Sequence, residues 1–442
     1  MGRGSVREVA ALAYPVILSQ LSITAMGFID SAMAGRLGAT ELAAVGFAGI
    51  WCWTWFTFFF GTATGVQTFV SQADGAGRQG ECGGWTWQAG YVVVPLTALA
   101  ALGLWLWLDP FLSLLGPSAE LQATAASYLR PRLVGGVGLA FAMVLTSFFR
   151  GLGDTHTPMY ATLVSVVVNA ILDYGLIFGK LGFPEWGVYG AGFATAVAEW
   201  LDALLLFIAF SRRKVSQRYA TGPTAPHPDS ILRFVRIGVP VGGQWVLEML
   251  SFAVFTTFIA RMGDTSMAAS QALIILLSLS FMQSIGLSIA ASTLVGRYIG
   301  ARDNPAAWRS FWSAEKMVVV LAGSVALLFV AAPGLLMRIF SDDPEVIGLG
   351  RSLVSLAAAF QLFDAFGIVA SGALRGAGDT RWPFVVQTAF AWLFFVPATY
   401  LLGVHLGGGL FGAWVAGTLY VLLVSVTFVA RFRSGAWQQF RI

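Results

Sequence analysis

Four carboxylates stand inside stretches of chain that are otherwise apolar: Asp30 and Asp173 in the first half, Glu248 and Asp364 in the second. An ionised carboxyl at bilayer depth costs about 3 kcal/mol or more unless it is paired, hydrated or neutralised, so each is a functional candidate by default. Asn169 precedes Asp173 by four residues, which places both on one helix face. With Asp30, and with Thr195 as a possible hydroxyl donor, they can form one polar cluster. Two neighbouring carboxyls share negative charge unfavourably. Such a site takes a proton or holds Na+ through oxygen ligands; the plainer alternative is a buried network whose oxygens are all satisfied. Glu248 and Asp364 each fall about halfway along their helices and admit either cation or substrate binding or structural pairing. Glu199 and Asp202, three apart, share a helix face. Asp202 approaches the cytoplasmic end, where water explains it, and Glu199 is a further binding candidate. Gln67 and Gln244 could line a cavity or bond between helices.

The elements that must hold these groups are membrane helices. Asp, Glu, Lys and Arg make up 11% of the 442 residues and apolar types 57%, against about a quarter charged in a soluble domain. Apolar stretches of roughly 20 residues, enough to cross the hydrocarbon core as helix, recur along the whole length. The spacing predicts spans near 10–33, 45–73, 88–108, 119–149, 160–179, 187–211, 231–261, 269–299, 312–333, 344–373, 384–402 and 409–431. The expectation is an all-α integral membrane protein of twelve transmembrane helices in two six-helix lobes. The first apolar run follows Arg3 and Arg7 without a small-residue cleavage pattern, so it is read as a span and not a signal peptide. The polar stretch Arg212 to Ser230, RRKVSQRYATGPTAPHPDS, divides the chain into an N-terminal lobe (1–211), a cytoplasmic linker (212–230) and a C-terminal lobe (231–442). With both termini in the cytoplasm, most of the 26 Lys and Arg fall on the cytoplasmic side, as the positive-inside rule requires.

The halves repeat at a constant offset of 225 residues. Pro15 matches Pro240; Arg36, Gly38, Thr40, Ala43 and Ala44 return as Arg261, Gly263, Thr265, Ala268 and Ala269; RGLGDTHTP from Arg150 returns as RGAGDTRWP from Arg375. Six spans per copy give both copies the same orientation, and parallel repeats of this kind commonly place a substrate site between them in transporters. The RGxGDT segments read as tight turns whose Asp and Thr cap the next helix. A phosphate-binding reading is weak, because the Lys-Ser/Thr ending of a P-loop is missing. The repeat is unequal at the polar cluster: the positions matching Asp30, Asn169 and Asp173 are Phe255, Phe394 and Ala398.

Other chemistries find little support. Cys52 and Cys82 are the only cysteines; without CxxC or Cys/His spacing they read as packing thiols. No HExxH, GxSxG or paired Ser/His pattern lies in a span, which argues against an intramembrane enzyme. The net charge of +4 is accounted for by the cytoplasmic basic residues, with no need of a nucleic-acid partner. The 16 Trp and 35 Phe would suit a pocket for aromatic cations, yet a run such as Trp51, Trp53 and Trp55 reads better as interfacial anchors.

Taken together, the two parallel halves, the paired RGLGDTHTP and RGAGDTRWP turns, Pro15 in the first span and the GFIDSAMAGRLGATELAAVGF segment from Gly27 to Phe47 resemble the MATE multidrug and toxic compound extrusion transporters over essentially the whole chain. The resemblance implies a secondary antiporter that exports organic, mostly cationic or amphipathic, compounds in exchange for Na+ or H+, through a cavity between two six-helix lobes. It implies no cofactor beyond the coupling ion, small organic substrates and membrane lipid as partners, function as a monomer, and a place in the bacterial inner membrane. Asp30, Asn169 and Asp173 look like the cation-coupling cluster of the DinF-type branch, whereas Glu248 and Asp364 resemble acidic positions of the NorM-type branch. Pro15 would be the point at which the first helix bends, since it lacks a backbone N–H. A lipid-linked precursor flippase of the wider superfamily is the nearest rival, but it calls for a strongly cationic cavity and intramembrane Lys and Arg are scarce. A non-catalytic membrane receptor or scaffold would leave the buried acids without evident purpose.

Overall fold

A computed structural model describes residues 2–115, 118–340 and 343–440. Backbone polar groups in hydrocarbon must be satisfied within their own segment, and the described residues answer with helix and no strand. Among the described residues, twelve helices are long and apolar enough to cross a membrane: α1 (Val6–Gly35), α2 (Ala39–Gly75), α3 (Gln79–Leu106), α4 (Ala119–Gly151), α5 (His156–Phe178), α6 (Gly187–Ser211), α7 (Pro228–Ala260), α8 (Asp264–Gly300), α9 (Asn304–Ala331), α10 (Pro344–Ala377), α11 (Arg381–His405) and α12 (Gly409–Arg433). All twelve expected spans are present, most of them extended by a turn or so at one end or both.

The chain forms two compact units, Leu18–Gly242 and Met1–Ile17 with Gly243–Ile442. In the first, α4 packs against α2, α3 and α6; in the second, α10 packs against α8, α9 and α12, the repeat-equivalent arrangement. The division differs from the lobes drawn at the polar linker. The opening of α1 belongs with the second unit and the opening of α7 with the first, and both changes of allegiance fall within three residues of Pro15 and Pro240. A proline inside a helix removes one intrahelical bond, so the repeated prolines mark the places where α1 and α7 pass from one unit to the other.

Each lead-in is tied to helices of its own unit, that of α7 to α3 and that of α1 to α8 and α9. In the first unit, Tyr91 Oη donates to the Thr224 carbonyl at 2.7 Å, Trp87 Nε1 to the Thr221 carbonyl at 3.0 Å and Gln88 Nε2 to the Ala225 carbonyl at 2.9 Å, while Gln88 Oε1 accepts from His227 N at 2.7 Å. In the second, Ser313 Oγ donates to the Gly4 carbonyl at 2.7 Å and Tyr298 Oη to Glu8 at 2.8 Å, with an ion pair between Arg3 and Asp303. Ser313 is the repeat mate of Gln88. The stretch read as a cytoplasmic linker contains a short helix, Arg213–Tyr219, followed by a strap along α3.

The RGxGDT turns behave as their composition requires. Gly153 and Gly378 have φ of +75° and +92°, which glycine adopts without strain. Asp154 accepts from Thr157 N at 3.0 Å and from Thr157 Oγ1 at 2.6 Å, capping α5. Asp379, its counterpart, also accepts from the backbone three residues on, at Trp382, and in addition from Arg431 Nε at 2.9 Å. Regularity also differs between the copies: α5 is α-helical throughout, whereas α11 widens into π turns at Phe390–Phe395 and Tyr400–His405 on either side of Pro397, where the ring displaces a helical bond.

Candidate cation-coupling site

Three helices of the first unit assemble the cluster: α1 brings Asp30, α5 brings Asn169 and Asp173, and α6 brings Thr195. These residues are 4%, 0%, 0% and 2% exposed. Thr195 Oγ1 lies 3.2 Å from Asp30 Oδ2 and 2.9 Å from the Ala191 carbonyl, so its one proton serves either acceptor. Asn169 Nδ2 donates to Thr195 at 3.5 Å, and the Asp173 carboxyl stands beside those of Asp30 and Asn169's amide. The helical spacing of Asn169 and Asp173 read from the sequence thus places both in one site.

The cluster is short of positive charge and of donors. Asp30 Oδ1, Asn169 Oδ1 and both Asp173 oxygens are buried without a hydrogen-bond partner among the described residues. A buried acceptor left unmade costs about 1–3 kcal/mol, more when charged, so the geometry is not that of a fully satisfied network. A proton shared between the carboxyls would relieve it. So would a small monovalent cation, for which two carboxyls, an amide oxygen and a hydroxyl are a fitting set of hard oxygen donors.

One neighbour escaped the sequence reading. Arg132 of α4 is largely buried, and its Nη1 lies 2.5 Å from Glu199 Oε1 of α6. The pair exists because α4 and α6 approach closely: a Cβ at Gly135 would lie 2.3 Å from Glu199 Oε2, and one at Gly192 would lie 2.4 Å from the Tyr128 carbonyl. Arg132 acts electrostatically on both Asp30 and Asp173. The repeat held the missed signal, because the mates of Arg132 and Glu199 are Ala357 and Val424. Asp202, by contrast, faces Arg150 of the first RGxGDT turn.

The second unit gathers a different set. Gln244 Nε2 of α7 donates to Gln387 Oε1 of α11, and Gln387 stands against the Glu248 carboxyl. Asp364 of α10 is a further electrostatic neighbour of Glu248. Glu248 lies midway along α7 yet is exposed, and Asp364 is half-buried. These acids meet open space, whereas Asp30 and Asp173 do not. Gln67 is buried on the part of α2 that follows Thr64, in the first unit. Where the first unit has its polar cluster, the second has aromatic rings: Phe255 packs on Phe395 and Trp414 at centroid distances of 5.2 Å each, and Tyr420, the mate of Thr195, stacks on Phe395 at 4.9 Å.

The sequence profile of the MatE family matches residues 15–175 and again residues 240–401. The chain belongs to the MatE family. The two matches begin at Pro15 and Pro240, so the family's unit is the repeat itself. A member of this family is a transporter and not an enzyme. This MatE protein is 30% identical over 441 residues, 98% of its length and 93% of the other's, to a Thermotoga maritima protein described as "Probable multidrug resistance protein NorM". Its fold is that of the solved eukaryotic MATE transporter AtDTX14, with a TM-score of 0.86 at 22% identity over 98% of this chain and 96% of the other. A transporter of the MOP superfamily from Pyrococcus furiosus is similarly close, with a TM-score of 0.85 at 19% identity over 99% and 98% of the two chains; its binding pocket is described as reversed in polarity, suggesting a different function. Since one fold hosts more than one function, the polar residues of this MatE chain must decide its own.

Proposed function

We propose that this MatE protein is a secondary antiporter that exports organic, cationic or amphipathic compounds in exchange for H+ or Na+. Coupling takes place at Asp30, Asn169, Asp173 and Thr195. The observation that carries this is the set of buried oxygens without donors at Asp30, Asn169 and Asp173, whose repeat mates Phe255, Phe394 and Ala398 have no side-chain oxygen. It is an arrangement the fold does not need, since the other repeat fills the same place with rings.

The exposed Glu248 and half-buried Asp364 suit a cationic substrate. The multidrug description of the T. maritima relative supports that substrate class. A pocket of reversed polarity, as described for the P. furiosus transporter, suits these acids poorly, and so does a lipid-linked precursor flippase. Cation entry at Asp30 changes the charge held by α1, and Pro15 lies two residues before Ile17, where α1 leaves the second unit. Bending there alters the substrate site and releases the drug on the far side of the membrane. The protein works as a monomer in a bacterial inner membrane, among its lipids, with both termini cytoplasmic, as the distribution of Lys and Arg favours.

The test is drug uptake into everted vesicles of cells expressing Asp30→Asn, in which export from the cytoplasmic face fills the vesicle. The variant loses cation-driven efflux while still inserting in the membrane. Full cation-driven efflux by Asp30→Asn would contradict the assignment.

A further inference from the structure

The Arg132–Glu199 pair has no mate in the second repeat and no obvious packing duty. A buried ion pair is often replaceable by hydrophobic residues with no loss of stability, and the second copy has the smaller apolar Ala357 and Val424 at these positions. The pair is also incompletely satisfied: Arg132 Nε and Glu199 Oε2 are buried without a partner among the described residues. Its groups and the coupling carboxyls feel one another. Arg132 acts on Asp30 and Asp173, and Glu199 on Arg132 and Asp30.

We infer that the Arg132–Glu199 pair sets the affinity of the Asp30–Asp173 cluster for the coupling cation. The inference rests on the coupling role proposed for that cluster. With both carboxyls ionised and no cation bound, the cluster carries two negative charges inside the protein, and Arg132 is the basic group that stabilises this empty state. Glu199 neutralises part of that effect and holds the guanidinium on the α6 side. The charged and titratable groups around the cluster come from every helix packed there: Asp30 from α1, Cys52 from α2, Arg132 and Tyr128 from α4, Asp173 from α5 and Glu199 from α6. Arg132 is the only cation among these. H+ and Na+ bring the same charge, so the pair tunes affinity for either without choosing between them.

Opposite charges predict opposite shifts. In proteoliposomes, Arg132→Met removes the competing positive charge, and the cation concentration for half-maximal drug efflux falls by about tenfold or more. Glu199→Gln leaves the guanidinium unneutralised, and the same concentration rises by about as much. Arg132→Lys stays near wild type, and the double variant R132M/E199Q, which removes both charges of the pair together, lies between the single variants. A merely structural pair moves both single variants in one direction, or neither, and that result overturns the inference. Should Arg132→Met fail to fold, Glu199→Gln and the double variant still decide: a half-maximal concentration that does not rise in Glu199→Gln, or that rises equally in both, sinks it. Asp30→Asn in the same vesicles keeps the two readings apart. If Asp30→Asn still couples, the coupling site itself is misplaced; if it does not couple and the charge variants fail to split, only the role of the pair is wrong.

Discussion

The same place in the two repeats is wet with carboxyls in one and packed with rings in the other. At Asp30, Asn169 and Asp173 the first unit buries oxygens that find no donor. At Phe255, Phe394, Ala398 and Tyr420 the second stacks Phe255, Phe395, Trp414 and Tyr420. The backbone scaffold around them is alike, down to the central α4 and α10 and the prolines of α1 and α7. The fold is therefore satisfied by an apolar filling at this depth, and the unsatisfied oxygens of the first unit are an addition to it. In a membrane interior such an addition is costly, which is why it points to function.

The sharpest way to break the comparison is to exchange the fillings. Phe255→Asp places an unpaired carboxyl among rings and also removes a buried aromatic side chain, so it destabilises the second unit by about 3–5 kcal/mol. The expected outcome is little or no monodisperse protein on size exclusion in detergent. Asp30→Asn, in contrast, relieves repulsion, and it leaves the protein at least as thermostable as wild type while removing cation-driven efflux. If Phe255→Asp is tolerated as well as Asp30→Asn, the two sites are not different environments.

A smaller effect attends Thr195→Val. Loss of its hydrogen bonds to Asp30 and from Asn169 costs about 1 kcal/mol of cluster organisation, so the cation concentration for half-maximal efflux changes by roughly fivefold to tenfold with the maximal rate largely kept. The smallest effect falls outside the comparison of fillings and on the straps. Gln88→Ala removes its hydrogen bonds to Thr224, Ala225 and His227 in the stretch before α7 and lowers stability by about 1–2 kcal/mol, and Ser313→Ala, which removes the one to Gly4, lowers it by about half as much. Melting of the two purified variants by tryptophan fluorescence measures the difference. Equal effects would mean that the straps do not act through these bonds.

Much of this was legible from residue order, and for physical reasons. Length, hydropathy and a 225-residue offset suffice to give twelve helices in two copies, because a bilayer leaves helices as the way to bury so much backbone. The four-residue spacing of Asn169 and Asp173 gave one helix face. Other features were out of reach. No local pattern marks Arg132, because its pairing with Glu199 depends on an interhelical approach at Gly135 and Gly192. The polar stretch 212–230 reads as linker by composition, yet Trp87, Gln88 and Tyr91 hold it from more than a hundred residues away. The unit boundaries near Ile17 and Gly242 fall inside continuous helices, where hydropathy has nothing to mark them; only the prolines hint at the place.

The central claim is that coupling belongs to the buried acids of the first unit and not to the open acids of the second. Drug-stimulated cation movement in proteoliposomes containing Asp173→Asn or Glu248→Gln tests it directly. Cation movement disappears in Asp173→Asn, whereas Glu248→Gln keeps it and changes the drug concentration needed for half-maximal transport. Normal cation movement in Asp173→Asn, or its complete loss in Glu248→Gln with drug binding intact, would place the coupling site in the second unit and contradict the account.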